Sequence, residues 1–194
     1  MATIKSLCVY CGSRTGNKES YKMLAEQLGQ ILAANHIRLV YGGGSIGLMG
    51  IVARSVMAHG GKVTGIIPRH LDIQEVGEKN ITQRIVVNNM HERKRQMFDH
   101  ADGFVILPGS IGTLDETIEM ITWKQLHLHD KPIVLINHNG YWDPLLDMLR
   151  DIVSEGFMNN GTLSLFEVVD TAEEVLPLLR TLPEPRIDPK NTLF

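Results

Sequence analysis

The segment Pro108-Gly109-Ser110-Ile111-Gly112-Thr113 places two glycines and two hydroxyls at the end of an apolar run, just ahead of a stretch with helical periodicity. Glycine lets a backbone turn tightly, and the unpaired N–H groups and dipole of a helix start favour an anion. The pattern is that of a monophosphate cradle, to which Thr113 can add a hydroxyl donor. Asp115 and Glu116 follow within about one helical turn, roughly 5.4 Å. A carboxylate there commonly complements the dipole or caps the helix, and Asp115 takes that role. Glu116 acquires a different one from a second segment, Met90-His91-Glu92-Arg93-Lys94-Arg95-Gln96-Met97. A helix lying on a sheet would carry apolar residues at 90, 93 or 94, and 97, yet Arg93 and Lys94 occupy the middle of that stripe. Cations at a helix start also oppose its dipole. A partly buried charge needs a partner, so the pattern asks for a carboxylate or a bound anion. The alternative is a solvated basic face.

Gly42, Gly44 and Gly47 satisfy G-x-G-x-x-G between a strand and a helix, the context of dinucleotide binding. That reading also needs an acidic residue about 20 residues on for the ribose hydroxyls, and none occurs from Leu48 to Leu71. NAD is therefore disfavoured, with Arg69 keeping NADP as an alternative. A Walker A loop is excluded because no Lys-Ser/Thr follows the glycines, and tight packing of strand on helix is the other reading. Cys8 and Cys11 form C-x-x-C, but Cys8 lies within a strand, whereas a redox pair starts at a helix N-terminus. With no second cysteine pair no metal site is expected, and both thiols read as structural. His127-x-His129 at a helix end reads as dipole complement rather than metal ligand. Ser13 has no evident His and Asp partners for a nucleophilic triad.

Short β-rich runs alternate with longer helical ones. Strands are expected at Lys5–Tyr10, Arg38–Tyr41, Lys62–Ile67, Gln83–Val87, Gly103–Leu107, Pro132–Asn137 and Glu167–Val169. Helices are expected at Lys18–Ala34, Gly47–His59, Met90–His100, Thr113–His127, Trp142–Glu155 and Ala172–Leu179. Continuous apolar strands such as Ile133–Ile136 fit parallel strands covered on both faces. The fold class is α/β, a doubly wound, Rossmann-like parallel sheet of about six to seven strands with helices on both faces. It forms a single domain over residues 1–181, followed by a Pro-rich tail over 182–194 read as an extended surface segment. Ligands in such sheets sit beyond the strand carboxyl ends where strand order reverses. With the order 3-2-1-4-5-6, the reversal lies between the first and fourth strands, bringing Gly12, Ser13, Asn89 and the start of the Met90 helix into one crevice.

At 194 residues, 43% hydrophobic and 21% charged, the chain buries an ordinary core. Its 19 Lys and Arg against 22 Asp and Glu, a formal charge of −3, provide no global positive field for nucleic acid or an anionic membrane. The apolar runs are far short of the roughly 20 residues that span a bilayer, and Met1–Tyr10 has no signal-peptide character. A cytoplasmic location is expected, in agreement with only 2 cysteines.

Together these segments resemble the LONELY GUY cytokinin-activating enzymes and their bacterial relatives, often labelled lysine decarboxylase-like. The resemblance covers about residues 5–180. The family signature Pro-Gly-Gly-x-Gly-Thr-x-x-Glu is matched by Pro108 to Glu116, and Met-His-x-Arg-Lys by Met90 to Lys94. Tyr41 to Gly50, Cys11-Gly12-Ser13 and Ile121-Thr122-Trp123 also match. The resemblance implies a dimeric, cofactor-independent hydrolase that cleaves nucleoside 5′-monophosphates to free base and ribose 5-phosphate. Carried over by position, it makes Arg93 and Glu116 the catalytic pair and Gly109, Ser110, Ile111, Gly112 and Thr113 the phosphate loop. Lys94, Thr122 and Glu75 become further substrate contacts; Gly12, Ser13, Gly43, Gly44 and Met90, from the other matching segments, complete the binding set. A nucleotide or molybdenum-cofactor carrier on the same fold is the alternative. One departure is Ser110, where the signature has its second glycine; a left-handed backbone there would resist serine and weaken phosphate binding. No lysine has the setting of a pyridoxal phosphate Schiff base, so the decarboxylase label has no chemical support. The helix over 113–127 carries Leu114, Ile118 and Ile121 on one stripe and Met120, Trp123 and Leu126 on another, a wider apolar surface than one sheet face covers. A homodimer, or a higher homo-oligomer, is expected to cover it.

Overall fold

A computed structural model describes residues 4–73, 77, 78, 80–183 and 187. Seven parallel strands form one sheet: β1 (Ser6–Tyr10), β2 (Arg38–Tyr41), β3 (Val63–Pro68), β4 (Gln83–Val87), β5 (Gly103–Ile106), β6 (Ile133–Ile136) and β7 (Glu167–Val169). The helices are α1 (Glu19–Ala34), α2 (Gly47–Ala58), α3 (Arg69–Ile73), α4 (Met90–Asp99), α5 (Ile111–Gln125), α6 (Asp143–Ser154) and α7 (Val175–Thr181). All six strand pairings are parallel. The expected α/β class and strand number hold. Of the expected tail, Leu182, Pro183 and Ile187 are described, and the Ile187 N–H donates to the Asp130 carboxylate.

Alternation along each strand divides the core. Leu7 and Val9, Leu39 and Tyr41, and Val105 pack with Leu28 of α1, Val52 of α2 and Val175 of α7. Cys8, Tyr10, Val40, Phe104 and Ile106 point the other way, onto Met97 and Phe98 of α4, Met120 of α5 and Leu149 of α6. This is the period of 2 expected of a strand, used on both faces because both are covered.

Strand order corrects one expectation. It runs β4-β3-β2-β1-β5-β6-β7, so β4 lies at the outer edge beside β3 and not beside β1. Gln83 and Arg84, both exposed, open this strand as polar residues suited to an edge. The reversal therefore falls between β1 and β5, and Asn88 and Asn89 do not share its crevice. Leaving the edge, the chain returns through α4, which packs beneath β3 before entering β5. The Asn89 side chain caps that helix by accepting the Glu92 N–H at 2.9 Å, and the Glu92 carboxylate accepts the Asn88 N–H at 2.8 Å.

His129 is fully buried between the rings of Phe98 and Phe104. Its Nε2 lies 3.0 Å from the Met120 carbonyl, and its Nδ1 accepts the Lys131 N–H at 3.1 Å. Those partners require the neutral ring with hydrogen on Nε2. The imidazole therefore ties α5, through Met120, to the segment leading into β6, in place of the expected dipole complement. Burial pushes its pKa down from 6.5 to about 4. Below pH 6.5 the unfolded chain takes up a proton that the folded chain refuses, so stability falls as pH drops from 6.5 towards 4. The expected loss is about 3 kcal/mol. Urea denaturation across this range should show that slope in the parent protein, with His129→Gln less stable at pH 7 but flatter by about that amount; parallel slopes would refute the linkage.

Candidate functional site

Two loops meet at the β1/β5 reversal. The Gly12 N–H donates to the Pro108 carbonyl at 3.0 Å, and the Leu48 N–H donates to the Gly12 carbonyl at 3.0 Å. A side chain at Gly12 would press on the Arg14 carbonyl and on Gly109, so glycine there permits the close approach of the loops. Gly12 thus clamps the crevice with both backbone groups engaged. Beside it opens a cavity of about 450 Å³, walled by residues that include Ser13, Arg14, Tyr21, Gly109, Ser110 and Tyr141. The Tyr141 hydroxyl donates to the Gly109 carbonyl at 2.5 Å, and the Tyr21 and Tyr141 rings meet edge to face. Arg14, Tyr21 and Tyr141 were not anticipated; the one cue was that Arg14 directly follows the strand-end Gly12-Ser13 pair.

α5 starts two residues earlier than expected because Ser110 is its N-cap. Ser110 has φ −115° and ψ −155°, ordinary extended backbone, so the glycine of the signature is not needed there. This removes the expected strain. The first backbone bond of the helix runs from the Leu114 N–H to the Ser110 carbonyl at 2.9 Å, leaving the N–H groups of the first turn ahead of the ladder. Ile111 and Gly112 are exposed, and Thr113 is buried over Gly109, where any side chain would overlap the threonine.

Glu116 lies in the second turn, too far along to cap the helix. Arg93 Nη1 donates to Glu116 Oε1 at 2.9 Å, and each side chain is 10% exposed. Arg93 also donates from Nε to the Ile66 carbonyl at 3.3 Å and from Nη2 to the Gly42 carbonyl at 3.4 Å. The guanidinium reaches these carbonyls, one just past β2 and one within β3, because α4 packs against β3. The buried cation thus has its carboxylate, and the solvated-face alternative is set aside for Arg93. Lys94 Nζ lies 3.2 Å from Asp115 and 3.1 Å from Glu119, so α4 and α5 are joined by two cations and three carboxylates. Burial raises the Glu116 pKa and the Arg93 charge opposes that rise, with a net shift upward from 4.5.

Packing accounts for two glycines of the G-x-G-x-x-G loop. A side chain at Gly42 would overlap Arg93 Nη2, and one at Gly47 would overlap the Ser13 and Arg14 backbone. The Gly43 carbonyl accepts the Glu78 N–H, and Gly44 bridges to Gly77; neither lines the cavity. Met90 is partly exposed at the start of α4. Thr122 lies in a shallow groove along α5, of about 570 Å³, with Ile111, Leu114, Ile118 and Trp123. Glu75 lies outside the described residues. Cys8 and Cys11 are free and buried, and burial pushes both thiols up, away from the reactive thiolate.

The family model described as "Possible lysine decarboxylase" matches residues 49–179. The rice cytokinin riboside 5′-monophosphate phosphoribohydrolase LOG (Oryza sativa subsp. japonica) is 45% identical over 181 residues, 93% of this chain and 75% of its own. The Arabidopsis thaliana enzyme of the same name, LOG1, is 43% identical over 175 residues, 90% of this chain and 82% of its own. The chain belongs to the LONELY GUY family. Among solved structures, the molybdenum cofactor binding protein of Rippkaea orientalis has a TM-score of 0.68 at 18% identity, covering 93% of this chain and 98% of its own. The molybdenum cofactor carrier protein of Chlamydomonas reinhardtii has a TM-score of 0.67 at 17% identity, covering 90% and 95%. These two share the fold.

Because the space beside Gly42 is filled by a guanidinium held on three acceptors, Gly42→Ala should cost about 1–3 kcal/mol as an overpacked site. Gly112→Ala, whose added carbon would meet nothing within 4 Å, should stay within about 0.5 kcal/mol. Thermal melts of the two variants decide this; equal stabilities would show that Arg93 does not depend on that space.

Proposed function

We propose that the chain hydrolyses the N-glycosidic bond of an adenosine 5′-monophosphate, N6-modified in the cytokinin type, giving free base and ribose 5-phosphate. Relatives named for this activity at 43–45% identity support the reaction. The observation that carries it into this site is the buried Arg93–Glu116 pair one turn beyond the start of α5. As the C1′–N bond breaks, positive charge develops on the ribose, and a carboxylate beside C1′ stabilises it electrostatically. Glu116 also accepts a proton from the attacking water, whose oxygen bonds to C1′ while the departing base takes up a proton. Water is the only co-reactant. Arg93 holds the carboxylate in place and keeps it ionised against its burial. Phosphate bound at Gly109–Thr113 sets C1′ against Glu116, so binding energy remote from the bond positions it. Met90, Lys94, Thr122 and Glu75 are assigned to the substrate through the family resemblance. A carrier role rests on likeness of fold alone and gives the charged pair no task.

Glu116→Gln keeps an oxygen acceptor for Arg93 but removes its counter-charge, so it should melt below the parent while remaining folded at 25 °C, and base release from AMP or N6-isopentenyladenosine 5′-monophosphate by the folded variant should fall about 100- to 10,000-fold. Adenosine should be a poor substrate. Since the Glu116 carboxyl is raised, the acid limb of the parent's rate profile should lie above pH 4.5. Full activity in Glu116→Gln, followed chromatographically as free base, would reduce this residue to a structural ion-pair partner.

We also infer a homodimer closed across the outer face of α5. Met120 and Ile121 pack into the chain's own core, whereas Ile111 is 78% and Leu126 61% exposed, and Ile118 lies partly exposed between them. Ile111 and Thr122, both assigned to the substrate, border that face. Sedimentation of the parent protein should give twice the monomer mass, and Ile118→Asp should shift it towards the monomer; a monomeric parent at micromolar concentration would refute the assignment. The two free, buried thiols support a cytoplasmic setting.

A further inference from the structure

Two main-chain carbonyls orient Arg93, those of Gly42 and Ile66, and one glycine turn adjoins both. Gly43 has φ +76°, a left-handed backbone that favours glycine. It lies so close to β3 that an added carbon would stand 2.9 Å from Ile67 Cβ and 3.3 Å from the Ile66 carbonyl oxygen. Two other segments hold this turn. The Gly43 carbonyl accepts the Glu78 N–H at 2.9 Å, and Gly44 pairs with Gly77 in an antiparallel bridge. Arg54 of α2 donates from Nη1 to the Ser45 carbonyl at 2.8 Å, and the same Nη1 lies 3.5 Å from Glu78 Oε2. Gly50 leaves the room for that contact, since an added carbon there would stand 2.6 Å from Arg54 Nη1.

The α2 helix packs on the opposite face of the sheet from α4 and α5. Glu116 is faced by Arg93 and Lys94 from α4, by Asp115 from its own helix, and by Cys8, Tyr10 and Cys11 at the end of β1. Lys94 is shared with Glu119. Arg54 and Glu78 instead face Tyr41, on the α2 side. With Arg54 56% exposed, an ion pair of this kind contributes little to stability. Its leverage lies elsewhere, because a small displacement of the Gly42 carbonyl releases a donor of a buried guanidinium.

We propose that Arg54 and Glu78 are positioning residues for the Arg93–Glu116 pair. By clasping Gly43, Gly44 and Ser45 from the α2 side, they hold the Gly42 and Ile66 carbonyls where Arg93 must aim Nη1 at Glu116. This rests on the reading that the pair carries the hydrolysis. Once the clasp is loosened, the guanidinium spends less time on the carboxylate, which then takes up its proton at higher pH. The consequence falls on turnover and its pH dependence, since neither residue touches the substrate.

The test uses the parent, Arg54→Met, Arg54→Lys and Glu78→Met, with AMP kinetics across pH and carbon-13 NMR titration of the glutamate carboxyls. The Glu116 signal is identified by its loss in Glu116→Gln. Removing a cation alone would raise the Glu116 titration and removing an anion alone would lower it, so a rise in both Met variants isolates displacement of Arg93. Both should titrate about 0.5 pH unit higher, with the acid limb moved likewise, kcat down about 3- to 10-fold and KM within about twofold. Arg54→Lys, a single point donor, should fall between parent and Arg54→Met. Shifts of opposite sign, or none, overturn the proposal and, where the parent releases base, leave the hydrolase standing. A parent that releases no base, but whose Glu116 titration rises in both Met variants, overturns the hydrolase and keeps the clasp.

Discussion

Arg93 and Glu116 sit 2.9 Å apart with little of either side chain in water, and removing two charges from water costs several kcal/mol each unless their remaining donors and acceptors are met. Much of the surrounding architecture answers that demand. Two backbone carbonyls, of Gly42 and Ile66, take two further guanidinium donors. A glycine at 42 leaves the space for them. The Asn89 cap and the Glu92 carboxylate fix the start of α4, so the arginine one turn later projects in a defined direction. An apolar pair of similar volume would stabilise the fold at least as well, so stability alone does not account for the charges, and the proposed reaction gives them a task.

Beside this closed pair lies an open cavity, and the two are distinct environments joined by the first turns of α5. The helix start presents partial positive charge to the cavity, while its second turn presents a carboxylate raised by burial. A nucleotide spanning both would place its dianionic end where the field is positive and its developing cation where the field is negative. On the proposed reading, the polarity of one helix would orient such a nucleotide before any side chain makes contact.

The elements were legible because hydrophobic period and glycine punctuation are local properties. Pro108 to Glu116 and Met90 to Lys94 stood out through local conflicts, such as glycines ahead of a helix and cations on a stripe that should be apolar. The placement of β4 was not legible from period alone, since it depends on which side of β3 the chain turns; the polar Gln83 and Arg84 were the available hint. Nor could a single chain reveal that Gly42 makes room for an arginine 51 positions away, or that Tyr141 would anchor Gly109. These are tertiary contacts without a local signature. Ser110 illustrates the opposite case, in which a suspected backbone conflict vanished once the residue proved to be an N-cap.

The return of α4 from the outer edge of the sheet to β5 bears on when the protein becomes competent during folding. The pair draws on positions 42, 66, 93 and 116, which lie on both sides of the β1/β5 reversal. No hairpin or single βαβ unit contains them together. Closing such distant segments is entropically costly and late compared with local structure. A half-assembled sheet can therefore hold its helices and glycine turns, and even the Arg93–Glu116 pair 23 positions apart, while lacking the carbonyls of Gly42 and Ile66 that complete the surroundings of the guanidinium.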